Sequence, residues 1–499
     1  MRGSNGNAQG RWVTGLFCAA LAVGALEVRA AQTPAAPPVG EGNAGAAAGE
    51  QSALSGAAED AVRVTILYVG EWKGRLEAYP WVQGSMGGLS RLATAVEDAR
   101  RAGTRAIAVA LGETVETAGP IEELQLQTIA GALASLKFDA LGLGRGEWTF
   151  GIQGLKEITP GESLPLLCAN VRRKGDMKPV FAPGRFVPLA EGKPDRPDKV
   201  AIFSIISPLH VEAIAAHESG LEILPPPAAL GPQLARQRAK MGLVVVLFQG
   251  PKAEAMQLAE AMRGERLDVV IYAGCQDEPP KDPVKVGGTL LVTAGTNGKH
   301  LGCLELCIDK DGRVTQAQNR LVPLGLGVPE SASVVRLVAG YHRALRERQA
   351  MAFGAEAQRY PGGGTYVTNA GCVHCHQEQA RKWEASKHAL AYGAVQRMNY
   401  VDDPDCARCH ATGYSYIGGF GGKDRSPAMA CVGCEACHGA GSLHVADVHK
   451  PYGRPAERDC RTCHDAENSP AFAFGAYAER VRHWQGKVDG RQAAAGSSR

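Results

Sequence analysis

Apolar residues between positions 62 and 294 follow two alternating patterns. Short runs of apolar and β-branched residues predict strands at 62–69, 105–111, 138–143, 200–206, 243–248, 267–273 and 290–294. Between several of these runs, apolar residues recur on one helical face and predict helices at 88–102, 121–136 and 252–263. Because strands alternate with helices, we expect an α/β layered domain over 62–327.

The pattern changes after this domain. Apolar residues at helical spacing predict a connecting helix within 328–360. Pro361 and the three glycines after it then break the chain. We expect the region 361–485 to be mostly helical and rich in loops, and 486–499 to form a flexible tail.

The N-terminus has the pattern of a secretory signal. Arg2 and Arg11 precede an apolar stretch at 12–26, and Ala30 and Ala31 provide a small-residue cleavage site, so we predict a signal peptide over 1–30. Residues 31–61, rich in Pro, Gly and Ala, are expected to form a low-complexity linker. The apolar stretch is short for a membrane helix, so we expect no stable membrane span. The signal peptide predicts that the protein is periplasmic or extracellular.

Charge and composition limit the classes of binding partner that we expect. The 499 residues include 54 basic and 51 acidic side chains, which gives a formal net charge of +3. This near balance predicts no nucleic-acid partner and no anionic membrane surface. With 45% apolar residues, the chain can bury at least one large core.

Four Cys-x-x-Cys-His motifs carry the chemistry of the last quarter of the chain. The eight cysteines are Cys372, Cys375, Cys406, Cys409, Cys434, Cys437, Cys460 and Cys463, and the adjacent histidines are His376, His410, His438 and His464. In such a motif both thiols form thioethers to a haem, and the histidine is the proximal iron ligand. Structural zinc is the alternative, although zinc sites do not require histidine directly after every second cysteine. The sequence therefore predicts four covalently bound haem c groups, packed close enough for electrons to pass between them.

Other histidines near these motifs are candidates for the distal iron position. We expect distal ligation by His388, His444 and His483, with His449 as a further candidate. Coordination by two histidines would give lower potentials than coordination by histidine and methionine.

The same region resembles a known family. The segments WEASKHA at 383–389, CHATGY at 409–414 and CEACHGAGSLH at 434–444, with Arg482 and His483, are similar to the tetrahaem cytochrome c554 family over about 365–484. The resemblance implies distal ligation by His388, His444 and His483. It also implies that one haem can lack a strong sixth ligand.

The α/β region carries a second resemblance. Its segments ILY at 66–68, GGLSRL at 87–92, KFDA at 137–140 and PLLCANV at 165–171 resemble the metallophosphoesterase domain of the 5′-nucleotidase family, over about 62–325. That family binds two metals through aspartates, an asparagine and several histidines. At the matching positions this chain has Glu71 and Lys73, Glu113, Arg145 and Gly146, Gln249, and Cys275 and Asp277.

The substitutions remove every histidine of the dinuclear site and add two cations, which metal ions would repel. Glu71, Glu113 and Glu147 either hold a single hard cation or are structural carboxylates. We therefore predict a catalytically silent relative of the phosphoesterases.

Three functions follow from these observations. The favoured one is an exported tetrahaem electron-transfer protein whose α/β domain is a scaffold or docking module for redox protein partners. A redox enzyme that acts on a small nitrogen or sulfur species at an open haem is the second. A metal-dependent phosphoesterase is the third, and the lost ligands oppose it. The sequence identifies neither the redox partners nor the oligomeric state.

Overall fold

The fold is that of a computed structural model, which describes residues 61–78, 86–176, 178–189, 198–237, 241–274, 278–352, 357–397, 404–422, 425–450, 452–466 and 468–483. The predicted signal peptide and tail, almost all of the predicted linker, and both Cys275 and Asp277 lie outside these residues. Within the described ranges, no helix combines the length and apolar character needed to cross a membrane.

Fourteen strands are present in the described part of the chain. They are β1 (Val62–Val69), β2 (Arg105–Ala110), β3 (Ala140–Gly142), β4 (Leu166–Leu167), β5 (Val171–Arg173), β6 (Gly184–Pro188), β7 (Lys199–Ile206), β8 (Leu221–Ile223), β9 (Met241–Gln249), β10 (Val269–Tyr272), β11 (Val284–Val286), β12 (Thr289–Val292), β13 (His300–Ile308) and β14 (Val314–Pro323).

Sixteen α-helices accompany them in the same ranges. They are α1 (Leu89–Arg101), α2 (Pro120–Ser135), α3 (Arg145–Trp148), α4 (Gly151–Ile158), α5 (Val211–His217), α6 (Pro226–Gln237), α7 (Lys252–Ala261), α8 (Ala332–Ala352), α9 (Thr368–Val373), α10 (Gln377–Glu384), α11 (Ala391–Arg397), α12 (Pro404–His410), α13 (Cys434–His438), α14 (Ser442–Ala446), α15 (Glu457–Arg461) and α16 (Phe474–Arg480).

Two mixed six-stranded sheets form the α/β domain. The first has the order β14-β13-β1-β2-β3-β4, in which β1 to β4 are parallel and β13 and β14 are antiparallel additions. The second has the order β11-β12-β10-β9-β7-β6, with a parallel centre from β7 to β12. The pair β5 and β8 forms a small separate sheet.

The two large sheets pack face to face, and helices cover their outer faces. In β1, Ile66 and Tyr68 point into the core between the sheets, whereas Leu67 and Val69 point toward α1 and α2. A strand buried on both faces needs apolar residues at every position, which explains its continuous apolar run. The predicted α/β layers are confirmed.

The predicted connecting helix forms as α8 and packs on this domain. Its residues Val334, Val338, Tyr341 and Leu345 are buried in the same core cluster as α1 and α2. The predicted strand 138–143 is shorter than expected. The N–H of Phe138 donates to the Leu133 carbonyl at the end of α2 (3.0 Å), so β3 begins only at Ala140.

The region after residue 360 consists of short helices and connecting loops, as expected. Its one described hydrophobic cluster is small and includes Tyr392, Val395, Phe420 and Met429. Little of its stability can therefore come from apolar side chains alone.

Candidate functional site

Each Cys-x-x-Cys-His motif lies on a helical turn. The second and third motifs end α12 and fill α13, and the first and fourth continue from α9 and α15. In these last two, the His376 N–H donates to the Cys372 carbonyl (3.0 Å) and the His464 N–H to the Cys460 carbonyl (2.9 Å). Residues three and four positions apart share a helix face. Both thiols and the imidazole of a motif can therefore reach one haem.

Three motif histidines face the three histidines expected at distal positions. The ring pairs and their centroid separations are His376 with His444 at 6.4 Å, His464 with His388 at 6.2 Å, and His438 with His483 at 5.9 Å. With a metal–nitrogen bond of about 2.0 Å and a nitrogen about 1.2 Å from the ring centre, imidazoles on opposite sides of one metal have centroids about 6.4 Å apart. The side chains therefore fit iron held between two imidazoles.

The protonation of these imidazoles also suits a metal ligand. The Nδ1 atoms of four histidines lie within hydrogen-bonding distance of backbone carbonyls: His410 to Ala391 (2.8 Å), His438 to Gly453 (2.7 Å), His444 to Lys450 (3.2 Å) and His483 to Val481 (2.9 Å). A carbonyl only accepts, so the proton sits on Nδ1 and the Nε2 lone pair is left for a metal. Burial lowers the pKa of His388, His438 and His464, which favours the neutral form that binds metals.

Thiols of different motifs are in contact. The Cys372 thiol of the first motif lies beside Cys434 of the third and lowers the pKa of the Cys434 thiol. Cys409 of the second donates to the Thr462 carbonyl within the fourth (3.8 Å), and the neighbouring Cys409 thiol lowers the pKa of the Cys463 thiol to about 7. Residues separated along the chain thus bring the four motifs together in two pairs.

Glu435, between the cysteines of the third motif, is a residue that the sequence did not single out. Its buried carboxylate accepts the backbone N–H groups of Val367 (2.9 Å), Thr368 (2.8 Å) and Gly441 (2.7 Å). Thr368 has a left-handed φ of 71°, a conformation that costs energy for a non-glycine residue. Glu435 therefore fixes the third motif against the backbone that leads into the first.

Two further side chains near the motifs have other surroundings. His449 is exposed, and its backbone N–H donates to the Asp447 carboxylate (3.1 Å). Cys431 is half-buried and accepts a hydrogen bond from the Asn369 amide (3.3 Å). Burial raises the pKa of the Cys431 thiol.

In the α/β domain, the residues at the carboxyl ends of the parallel strands bind one another. The Arg145 guanidinium pairs with the Glu113 carboxylate (3.2 Å), which also accepts the Gly146 N–H (3.1 Å). Glu113 adopts a left-handed φ of 50°. His210 lies near this pair, and burial lowers its pKa.

Two more carboxylates at this edge are also buried. Glu147 accepts the N–H groups of Glu113 (3.1 Å), Thr114 (2.5 Å) and Gly144 (2.8 Å). Burial, reinforced by the Glu113 charge, raises the Glu147 pKa to about 7. Burial also raises the pKa of Glu71, against the opposing effect of Lys73.

These residues do not fit a dinuclear metal site. A guanidinium and backbone N–H groups already occupy the carboxylates of Glu113 and Glu147, and Gln249 offers an amide where the family has a histidine. Over the described ranges, no three His, Cys, Asp or Glu side chains are grouped to bind a bare metal ion. We derive no hydrolytic step from this edge.

The tail and the α/β domain are each similar to known proteins. Residues 371–439 match the family model described as cytochrome c554 and c-prime. Cytochrome c-554 from Nitrosomonas europaea is 30% identical over 102 residues, which cover 17% of this chain and 43% of that protein. Human 5′-nucleotidase is 24% identical over 312 residues, which cover 56% of this chain and 52% of that protein.

Among solved structures, the chain is similar to sulfate thiohydrolase SoxB from Thermus thermophilus. The TM-score is 0.49 at 16% identity, over 57% of this chain and 61% of that one. The chain spans about half the length, or less, of the two curated relatives. The resemblances of the tail to the cytochrome c554 family and of the preceding domain to 5′-nucleotidases are confirmed, and the tail is of the c type that binds haem covalently.

Proposed function

We propose that the protein is an exported electron-transfer protein that binds four haem c groups and passes electrons between them. The eight motif cysteines would hold the haems through thioethers, with His376, His410, His438 and His464 as proximal ligands. His444, His483 and His388 would be the distal partners of His376, His438 and His464, respectively. Haem c supplies one-electron chemistry when bound, its iron cycling between the ferric and ferrous states.

The observation that carries this proposal is the spacing of the three histidine pairs. Each pair joins a motif histidine to one outside the motifs, at 5.9–6.4 Å between ring centroids. A structural zinc site takes four ligands around one ion and has no need of imidazoles opposed in pairs. Three separate pairs of opposed imidazoles, each with one motif histidine, are the arrangement that haem iron needs.

The contacts between motifs support transfer within the protein. The thiol pairs Cys372 with Cys434 and Cys409 with Cys463 bring the first motif to the third and the second to the fourth. Groups attached to neighbouring sulfur atoms would lie close to one another. Separate binding or storage of haems would not require this crowding.

The α/β domain serves in this proposal as a scaffold or docking module. At the carboxyl ends of its parallel strands, the guanidinium of Arg145 balances the negative charge of Glu113. The phosphoesterases that this domain resembles would place metal ions there. Redox protein partners would meet the protein through small, transient interfaces. Export by the signal peptide would place the chain in the periplasm or outside the cell, and the N-terminal sequence of the secreted protein tests that cleavage.

The ligand assignment is tested by replacing His388 with Ala. Low-temperature EPR of the oxidised protein should then lose one low-spin signal, because the partner of His464 is gone, while the covalent haem content stays the same. Replacing the exposed His449 with Ala is the matched control, and all signals should persist. Unchanged low-spin signals in His388→Ala would contradict the assignment. A resting high-spin haem in the wild-type protein that shifts with nitrite or nitric oxide would indicate the redox-enzyme function instead.

A further inference from the structure

Tyr452 stacks on two histidine rings that belong to different pairs. Its ring is nearly parallel to that of His444, at 8° and 5.2 Å between centroids, and to that of His438, at 17° and 5.6 Å. Both imidazoles thus stack, with an offset, on the one tyrosine ring. The Tyr452 hydroxyl donates to the carbonyl of Gly439, the residue directly after His438, and so anchors the ring.

The backbone on either side of Tyr452 holds the same two imidazoles. The Lys450 carbonyl accepts the Nδ1 hydrogen of His444 (3.2 Å), and the Gly453 carbonyl accepts that of His438 (2.7 Å). One short stretch of chain therefore fixes both the proton position and the plane of two imidazoles. Either contact alone would be ordinary packing, but the combination acts on both rings at once.

The two imidazoles serve different haems in the proposed ligand set. His444 faces His376 of the first motif, whereas His438 is the histidine of the third motif and faces His483. The hydrogen bond to a ligand's second nitrogen and the orientation of its ring both tune the metal that it binds. A residue that fixes the orientation of two such rings therefore affects two haems at once.

We propose that Tyr452 is a positioning residue that sets the axial-ligand planes of the first and third haems together. This inference rests on the proposed ligand set and goes beyond it, because it assigns a coupling between two haems to a side chain that is not a ligand. The third motif is thereby tied to the first through ligands as well as through the contact between Cys372 and Cys434.

Replacing Tyr452 with Leu in the full haem-loaded protein tests the inference. The stack would be lost, so the g values of two low-spin EPR signals, and the midpoint potentials of two haems, should shift together. Tyr452→Phe keeps the ring and should leave both signals near their wild-type positions.

Phe472→Leu is the matched control, because among the described histidines Phe472 stacks on His464 (5.0 Å, 11°), so its loss should shift one signal only. If Tyr452→Leu does not load fully, Tyr452→Trp, whose larger ring must displace both imidazoles, should give the same paired shift. A loaded Leu or Trp variant in which no signal or one signal moves would overturn the inference and leave the ligand set intact. A wild-type protein without covalent haem would overturn the proposed function itself.

Discussion

Replacing Glu147 with Gln should change how the stability of the α/β domain depends on pH. The side chain is fully buried, and its two oxygens accept three backbone N–H groups. Burial raises its pKa from an ordinary value of about 4.5 to about 7. The folded domain therefore binds this proton more tightly than the unfolded chain does. Stability from this group is fully present below about pH 4.5 and is lost as the pH rises through about 7.

The magnitude follows from the hydrogen bonds and the pKa shift. A glutamine oxygen can still accept from Glu113 and Gly144, but its NH2 group then faces the Thr114 N–H, which is left unsatisfied at a cost of about 2 kcal/mol at pH 5. The shift of the Glu147 pKa corresponds to about 2.5 kcal/mol of wild-type stability lost between pH 5 and 8. The glutamine does not titrate, so its disadvantage should disappear by pH 8.

Urea denaturation followed by far-ultraviolet circular dichroism at pH 5 and pH 8 measures both effects. Glu116→Gln, at an exposed position close by in the chain, is the control and should stay within about 0.5 kcal/mol of wild type at both values. A Glu147→Gln protein as stable as wild type at pH 5 would refute the hydrogen-bond argument. A difference that grows with pH would refute the assignment of a raised pKa.

Three other substitutions or additions test the two domains. Arg145→Met removes the cation beside Glu113 and should lower the free energy of unfolding by about 1–2 kcal/mol, measured by urea denaturation; an unchanged value would show that the ion pair is not structural. Manganese added to wild-type protein should give no heat of binding by calorimetry and no release of phosphate from a nucleoside monophosphate. Stoichiometric binding would contradict the conclusion that Glu113 and Glu147 do not form a metal site. Glu435→Gln should destabilise the haem-loaded tail by about 2 kcal/mol, seen as earlier loss of the native haem spectrum in urea, because three backbone N–H groups share that carboxylate; equal midpoints would contradict its positioning role.

The sequence predicts the α/β layers well because their signal is local. The continuous apolar run of β1 follows from burial on both faces, and the helical spacing in α1 and α2 follows from burial on one. The strand β14 has no such signal, since none of its residues is fully buried and its exposure does not alternate regularly. It forms because it pairs with β13, a contact that no local pattern specifies.

In the candidate site, too, some features follow from local sequence and others only from the folded chain. A haem attachment motif is contained in five residues, so the motif histidines can be identified directly from the chain. The partners of three of them are set by the folded tail, which brings His444 to His376 and His483 to His438 across long sequence separations. Tyr452 and Glu435 lacked a sequence signal because their roles depend on backbone carbonyls and N–H groups, which every residue has.

The covalent haem content of the purified, exported protein tests the central claim most directly. Intact-protein mass spectrometry should show one species that carries four haem additions, with the eight motif cysteines unavailable to thiol reagents under denaturing conditions. A protein without haem additions, or with zinc in place of haem, would contradict the account.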